Sequence, residues 1–287
     1  MYRAYFKLKE NPFSTTVSSD TKYFYLTPSH AESMAKCEYA IRNKSELALV
    51  YGDYGTGKTS IMFLLKERFE REGNYTIAVF DKPNQTSDAA LLTAISKEFG
   101  LKPPRSKQAT QDQLEEFLAA EVAAGRTPLL LFDEAHELRN SRRADRDMLG
   151  MIKTLTNLRV TDPKGKSHRL IHIVMFGQLP LIELLESRPE LLDRVSSFGF
   201  LSQLTLEDAK AMLSHRWKVA GGKLPFPMAD DALEMIYRST KGLPRGMINV
   251  TNSAFIYAYG ARMDQVNRDA AEYALFEFFK KRKEQDV

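Results

Sequence analysis

The stretch that decides the fold is Leu47 to Ser60, LALVYGDYGTGKTS. An apolar run is followed by Gly52, four further residues and then Gly57-Lys58-Thr59, which fits the phosphate-loop pattern G-x-x-x-x-G-K-[ST] at every fixed position. The run before the motif is typical of a buried strand, and the segment IMFLLKERF after it is typical of a helix. The sequence therefore predicts a loop that holds nucleotide phosphates, and the alternative is an ordinary glycine turn before a helix.

The residue types in this loop suit ATP and Mg²⁺. Glycines let the backbone aim successive N–H groups at one point, and the helix that follows adds the positive end of its dipole. Lys58 is expected to reach the β- and γ-phosphate oxygens, and Thr59 to bind Mg²⁺. The predicted nucleotide-binding set is Gly52, Asp53, Tyr54, Gly55, Thr56, Gly57, Lys58, Thr59 and Ser60.

A second nucleotide signature is Asp133-Glu134, at the end of the apolar run Leu129 to Phe132. A carboxylate at the end of a buried strand can hold Mg²⁺, and the next one can orient or deprotonate the attacking water. The sequence thus predicts Asp133 as a metal ligand and Glu134 as the catalytic carboxylate; a strand that merely ends in two acids is the alternative. His136 completes the spelling D-E-A-H and is interpreted as a structural or minor site residue.

The wider pattern indicates an α/β fold followed by a helical region. Continuously apolar runs at 75–80, 129–132, 170–176 and 198–204 alternate with helical patterns, which favours a parallel sheet covered on both faces. From Thr205 onward only helical periods occur, and we expect helices at about 206–220, 229–240, 243–260 and 266–283. The predicted divisions are an N-terminal segment over 1–45 that packs on the nucleotide site or is an ordinary tail, a core over 46–204 and a helical domain over 205–287.

Three further polar side chains are candidate site residues. Gln178 follows the apolar run at 170–176, where a polar group is expected beside the γ-phosphate. Arg194 or Arg188 is expected to reach a neighbouring subunit's nucleotide and stabilise charge in the transition state; surface ion pairs are the alternative for both. Arg245 stands at a helix start, an unfavourable place for a cation that invites a compensating anion such as a phosphate.

Composition excludes several classes of protein. With 43% hydrophobic and 27% charged residues the chain is a soluble globular protein, and its net charge of +4 is compatible with a polyanion partner without requiring one. One cysteine, Cys37, excludes an internal disulfide and favours a reducing compartment. No signal peptide and no run of roughly 18 apolar residues is found, so we predict a cytoplasmic protein with no membrane partner.

In the order phosphate loop, Asp133-Glu134, Gly177-Gln178, Arg194 and G-L-P-R, the chain resembles an AAA+ ATPase of the initiator-like branch. This resemblance implies a parallel five-stranded αβα sandwich followed by a small all-helical lid. It also implies ATP hydrolysis with Mg²⁺, in which Gln178 and Arg245 sense the γ-phosphate and Arg194 acts across a subunit interface.

More narrowly, the opening Y-F-x-L-x-E-N-P-F, together with Y-L-x-P-S-H, D-E-A-H and F-G-Q-L-P-L, resembles the ATPase domain of the ExeA (general secretion pathway A) group. Its relatives include transposition-regulator ATPases of the Mu B, TniB and TnsC type, which assemble with ATP on duplex DNA as rings or helical filaments and stimulate a transposase. That resemblance implies DNA contacts at basic residues, here Lys102, Arg105, Lys107, Arg139, Arg142 and Arg143.

The leading hypothesis is therefore an ATP-dependent, DNA-binding regulator of transposition. Its expected partners are further copies of itself, double-stranded DNA, a transposase and a target-selection protein. Two alternatives stay open: a secretion-pathway ATPase that never touches nucleic acid, and a helicase-loader ATPase of a mobile element. For the basic run at 139–146 the alternative is a solvated surface loop.

Overall fold

The computed structural model describes residues 2–14, 21–81, 83, 85–140 and 147–285. Its strands are β1 Leu47–Gly52, β2 Tyr75–Phe80, β3 Thr127–Phe132, β4 Arg159–Thr161, β5 Ser167–Arg169, β6 His172–Gly177 and β7 Val195–Leu201. Its helices are α1 Tyr2–Tyr5, α2 Pro28–Arg42, α3 Lys58–Glu72, α4 Asp88–Glu98, α5 Lys107–Ala123, α6 Met148–Asn157, α7 Pro180–Glu186, α8 Pro189–Leu192, α9 Leu206–Val219, α10 Asp230–Thr240, α11 Pro244–Gly260 and α12 Arg268–Gln285.

Two compact units are formed. The first, here called the α/β unit, contains Ser29–Tyr54 and Ile61–Leu201. The second, here called the helical unit, contains Met1–Pro28, Gly55–Ser60 and Ser202–Val287. The domain limits expected from the sequence stay a prediction.

Within the described residues, five strands of the α/β unit form one sheet in the order β2-β3-β6-β1-β7, and every neighbouring pair is parallel. Continuous apolar runs suit such a sheet because both faces are covered; β3 and β6 are buried at every position. The α/β prediction is therefore confirmed. Since β6 lies between β1 and β3, the residues that follow these three strands meet at one edge of the sheet.

Helices pack on this sheet through apolar stripes. Leu91 and Ile95 of α4 and Leu114 and Leu118 of α5 are almost completely buried in the main hydrophobic core, as is Ile152 of α6. Each such side chain contributes about 1.5–3 kcal/mol by leaving water. This core fixes the strands and, through them, the polar residues at their carboxyl ends.

Two boundaries differ from those that the sequence predicts. The sequence favours a helix over about 110–124, after a proline-containing loop that includes Lys107, but α5 begins at Lys107, because the Ser106 hydroxyl caps it by accepting a hydrogen bond from Ala109 N at 3.4 Å. Lys107 is therefore in a helix and not in the preceding loop. Strand β7 spans Val195–Leu201 instead of 198–204, because it pairs with β1 from Leu47 to Gly52 and the two strands begin and end together.

The polar stretch after α6, TDPKGKSHR, has a hairpin-like sequence and forms a hairpin. Strands β4 and β5 pair antiparallel, with Arg159 opposite Arg169. Asp162 closes the turn by accepting hydrogen bonds from the backbone N–H groups of Lys164 and Lys166, each at 2.9 Å. The His168 ring at 2.9 Å, together with these bonds, lowers the pKa of Asp162.

The helical unit is built around an aromatic core. Trp217 of α9 stacks on Phe255 of α11 with ring centroids 5.0 Å apart, and Phe13 stacks on the same Phe255 ring at 5.3 Å. Tyr2 and Leu8 are buried in this core as well. The first part of the N-terminal segment, residues 2–14, thus packs into the helical unit, and the predicted packing of the segment on the nucleotide site stays a prediction.

Arg216 of α9 holds the N-terminal segment through hydrogen bonds. Its guanidinium donates to the carbonyl oxygens of Pro12 at 2.7 Å, Ser14 at 2.8 Å and Tyr23 at 3.1 Å. Burial lowers the pKa of Arg216 to about 10, against a weaker opposing effect of Tyr23. A charged donor therefore satisfies three backbone acceptors of an otherwise irregular segment.

None of the helices in the described part of the chain is long and apolar enough to cross a lipid bilayer.

Candidate nucleotide site

The predicted phosphate loop joins β1 to α3. Its Gly55 and Gly57 have φ angles of +81° and +104°, values that side-chain-bearing residues rarely adopt. Gly52 is required for a different reason: a Cβ there would lie 2.4 Å from the carbonyl oxygen of Leu201 on the neighbouring strand. The glycine spacing of the motif thus corresponds to two left-handed turns and one close approach of strands.

The loop ends at the first turn of α3. Lys58 is the first residue of this helix, and only 6% of its surface is exposed. Thr56 is completely buried, and Thr59 and Ser60 follow in the same turn. Backbone N–H groups in a first helical turn have no partner within the helix, so this turn can bind an anion.

Arg245 lies against this loop within the helical unit. Its backbone N–H donates a long hydrogen bond of 3.4 Å to the Gly55 carbonyl oxygen. A Cβ on Gly55 would lie 2.9 Å from the Cβ of Arg245. The structure therefore brings Arg245 to the phosphate loop, as its candidate role as a γ-phosphate sensor requires.

The turn before Arg245 explains why the sequence reads G-L-P-R at residues 242–245. Gly242 has a φ of +66°, and a Cβ on it would lie 2.6 Å from the Leu204 carbonyl oxygen. Pro244 then begins α11, where its missing N–H removes no helical hydrogen bond. These two residues place Arg245 in the first turn of α11.

Asp133 and Glu134 follow β3 at the carboxyl edge of the sheet. Asp133 is 5% exposed, and its Oδ1 accepts a hydrogen bond of 2.9 Å from the Glu134 N–H. Glu134 has a φ of +47°, which is uncommon for a residue with a side chain and is often found at functional sites. The two carboxylates are thus held by a tight turn and not by a helix.

Gln178 follows β6 at the same edge and contacts His136. Its side-chain Nε2 lies 3.0 Å from His136 Nε2, and its backbone N–H points to His136 Nδ1 at 3.4 Å. His136 Nδ1 is also 3.3 Å from Glu134 Oε2. The structure therefore brings the predicted residues Glu134 and Gln178 together through a histidine that the sequence analysis had treated as minor.

The residues present fit ATP and a hard divalent cation. Within the described residues, no group of three or more His, Cys, Asp or Glu side chains could hold a metal ion by itself. Mg²⁺ in nucleotide sites usually takes one or two protein oxygens and completes its shell with phosphates and water. The Thr59 hydroxyl and the Asp133 carboxylate are each oxygen donors of the kind that such a cation takes, and their predicted role as metal ligands stays a prediction.

The two candidate interface arginines make ion pairs within their own chain. Arg194 precedes β7, and its Nη1 lies 3.0 Å from Glu46 Oε2 and 3.2 Å from Thr156 Oγ1. Arg188 pairs with Asp147 at 2.8 Å. Glu46 precedes β1, so Arg194 lies at the amino edge of the sheet, opposite to Asp133.

Glu46 is surrounded by arginines, and its side chain is 12% exposed. It accepts hydrogen bonds from Arg159 at 3.0 Å and from Arg169 Nε at 3.0 Å, in addition to Arg194. Burial by itself would raise the pKa of Glu46, but the hydrogen bond and charge of Arg169, with the charges of Arg194 and Arg159, lower it overall. We name Glu46 and these three arginines the Glu46 cluster.

The candidate DNA-binding residues fall into two groups. Lys102 and Arg105 are exposed in the loop between α4 and α5, and Lys107 is exposed at the start of α5, where it pairs with Asp88. Arg142, Arg143 and the side chain of Arg139 lie outside the described residues.

Sequence reasoning missed two features of this unit. The contact of His136 with both Glu134 and Gln178 had one signal, its place three residues after Asp133 in D-E-A-H. The Glu46 cluster had none, because its members are up to 148 residues apart in sequence.

A parallel sheet with a glycine-rich phosphate loop after one strand and paired carboxylates after another defines a P-loop nucleoside triphosphatase. Residues 41–185 match the family model described as an AAA domain. The chain belongs to this family and is an AAA+ ATPase.

Named proteins resemble it over most of its length. General secretion pathway protein A of Aeromonas hydrophila is 30% identical over an alignment of 283 residues that covers 96% of this chain and 48% of that protein. The chain thus spans about half the length of this curated relative. The Aeropyrum pernix ORC2 protein matches with a TM-score of 0.66 at 17% identity, over 94% of this chain and 72% of that one. Drosophila ORC bound to DNA matches with a TM-score of 0.67 at 17% identity, over 93% and 64%. At these identities the two structures show a shared fold.

Proposed function

We propose that this ATPase assembles on double-stranded DNA in its ATP state and regulates DNA transposition by recruiting a transposase. The observation that supports the DNA half is the exposed basic loop of Lys102 and Arg105, with Lys107 beside it, on an AAA-type ATPase. One structural neighbour, Drosophila ORC, is bound to DNA. Cations that track a phosphate backbone on several subunits would give affinity without sequence preference.

The site residues have separate roles in ATP hydrolysis. In this proposal, loop N–H groups and Lys58 would hold the β- and γ-phosphates, and Thr59 and Asp133 would each be a protein ligand of Mg²⁺. Glu134 orients the attacking water and accepts its proton. This assignment is supported by the burial of Asp133 and by the fixed turn that carries both carboxylates.

Two side chains would respond to the γ-phosphate. Gln178 stands at the carboxyl edge of the sheet after β6, and Arg245 lies against Gly55 of the phosphate loop. Loss of the γ-phosphate on hydrolysis would remove a partner from each. We propose that this loss separates the assembled ATP state from a dissociated ADP state.

Arg194 would act on a neighbouring subunit's nucleotide. For this it exchanges its pairing with Glu46, which the structure shows at 3.0 Å, for the negative charge of the γ-phosphoryl group. Arg188 is the second candidate for the same role. Each arginine is replaced by Ala in turn, and the variant is mixed with a Glu134→Gln protein. The arginine that acts as the finger is the one whose Ala variant regains ATP turnover in the mixture, because its active sites then receive a finger from a neighbouring Glu134→Gln subunit.

The test of the DNA proposal is ATP-dependent association with random-sequence duplex DNA at low salt, measured by sedimentation. A Lys102→Ala/Arg105→Ala variant should bind more weakly, and its slope of log affinity against log salt should fall by about 1 for each DNA phosphate that the variant no longer neutralises. The control is Lys164→Ala/Lys166→Ala, which removes two exposed cations of the β4–β5 hairpin. No DNA association of the wild type in ATP would discard the proposal.

A second candidate function is a secretion-pathway motor that acts on protein. It is favoured by the 30% identity to General secretion pathway protein A over nearly this whole chain. This candidate predicts ATP turnover that duplex DNA does not change. Turnover that rises with added DNA would favour the transposition proposal instead.

A further inference from the structure

The ring of His136 lies between the two side chains at the carboxyl edge of the sheet. Its Nδ1 is 3.3 Å from Glu134 Oε2, and its Nε2 is 3.0 Å from Gln178 Nε2. The His136 side chain is only 13% exposed, so water does not readily replace these contacts. Glu137 approaches the same Nε2 at 3.7 Å but is half exposed.

One oxygen of the Glu134 carboxylate needs a hydrogen-bond donor. Glu134 Oε2 is buried, and among the described residues it has no partner that meets full hydrogen-bond geometry. A buried carboxylate oxygen without a donor is costly, and His136 Nδ1 is close enough to become that donor after a small movement.

The ring nitrogen that carries the hydrogen decides whether His136 Nδ1 donates to Glu134 or accepts from the Gln178 backbone. With hydrogen on Nδ1, the ring donates toward Glu134 and accepts at Nε2 from the Gln178 amide. With hydrogen on Nε2, Nδ1 accepts the Gln178 backbone N–H and the ring no longer serves Glu134. Glu134 and Gln178 are therefore linked by one ring whose two nitrogens must satisfy both.

The backbone of the segment that carries His136 lies close to the end of β6. A Cβ on Gly177, the residue before Gln178, would lie 3.3 Å from the His136 backbone nitrogen and 2.8 Å from Leu181 Cδ2. Glycine at 177 thus permits the close approach of β6 to the segment that carries His136.

We propose that His136 is a positioning residue that ties the Glu134 carboxylate to the Gln178 side chain, so that both reach their hydrolytic positions together. This inference rests on the proposed roles of Glu134 and Gln178 in ATP hydrolysis. In this proposal His136 does not react itself and acts by holding the Glu134 carboxylate.

Steady-state ATP turnover without DNA tests the proposal. His136→Ala should lower kcat by about 10- to 100-fold, as is typical when a supporting partner of a reacting group is removed. KM and nucleotide affinity should change by less than about threefold, because the phosphate loop is untouched. His168→Ala, which removes the histidine of the β4–β5 hairpin, is the matched control and should keep wild-type turnover.

Conservative variants separate positioning from packing. His136→Asn keeps a donor near the Nδ1 position and should recover part of kcat, whereas His136→Phe fills the space without a polar atom and should not. In a double-mutant cycle, His136→Ala and Gln178→Ala should combine to much less than the product of their separate effects. Equal recovery by Phe and Asn, or a fully multiplicative double variant, would overturn the link.

The Glu134→Gln variant separates this inference from the proposed hydrolysis site. If Glu134→Gln abolishes turnover while His136→Ala leaves kcat unchanged, the link is wrong and the site assignment stands. If Glu134→Gln leaves turnover unchanged, the site assignment itself is wrong and the link falls with it.

Discussion

The Glu46 cluster should be a main source of stability for the α/β unit. Replacing Glu46 by Gln keeps the shape of the side chain but removes the carboxylate that pairs with Arg159, Arg169 and Arg194. Breaking a fully buried ion pair costs about 3–5 kcal/mol. Because the three arginines are between 22% and 40% exposed, solvent screening reduces this figure, and we expect a loss of about 2–4 kcal/mol.

The matched control is Glu72→Gln. Glu72 pairs with Arg42 on the surface, where the two side chains are 30% and 47% exposed, so its loss should cost less than about 1 kcal/mol. Hydrogen exchange of β1 and β7 amides measures the stability of the α/β unit directly. Fluorescence of Trp217, the single tryptophan, reports the helical unit and should be unchanged by either substitution.

The effect has a defined pH dependence. The pKa of Glu46 is lowered in the folded protein, so its contribution is present above the unfolded carboxyl value of about 4.3 and is lost as pH falls through the lower folded value. The wild type should therefore approach the stability of the Gln variant in acid. If Glu46→Gln and Glu72→Gln destabilise β1 and β7 equally at neutral pH, the cluster is no stronger than a surface pair and this reasoning is wrong.

Three further predictions concern single side chains. Gly55→Ala forces a φ of +81° on alanine and a close approach to Arg245, so ATP affinity measured by calorimetry should fall by about 10-fold; unchanged affinity would contradict the loop geometry. Glu121 stays ionised at neutral pH, because hydrogen bonding to Arg126 lowers its pKa to about 2. The Glu121→Gln variant should therefore lose about 1–2 kcal/mol of unfolding free energy at pH 7. In acid titrations its stability should fall less than that of the wild type between about pH 5 and 2. Arg216→Met should leave three carbonyl groups without their charged donor and speed proteolysis in the N-terminal segment, and an unchanged cleavage rate would show that the aromatic contacts suffice.

The phosphate loop and the Asp133-Glu134 turn could be predicted because their chemistry is local. A glycine at a left-handed turn and a lysine at the next helix start are written in consecutive residues, as Gly57-Lys58 shows. The helices after residue 205 were predictable for a similar reason, since their apolar positions repeat at the helical period. The start of α9 at Leu206 agrees with the expected one.

What could not be predicted depends on pairing between distant segments. The limits of β7 follow from its register with β1, and that register is set by hydrogen bonds that no local pattern records. The contact of His136 with Gln178 depends on β6 lying beside β3, which brings Gln178 next to a residue 42 positions earlier. The pairing of Arg194 with Glu46 joins the starts of two strands 148 residues apart.

The aromatic core of the helical unit has a consequence for synthesis of the chain on the ribosome. Tyr2 bonds to Asn252, 250 residues later, and Arg216 bonds to Pro12, 204 residues earlier. At about 5–20 residues per second, the N-terminal aromatic segment waits roughly 10–40 s for α9 to emerge. During that interval Phe13 has no native neighbour from α9 or α11, and a nascent chain stalled before α9 should be a substrate for chaperones that bind exposed aromatic side chains.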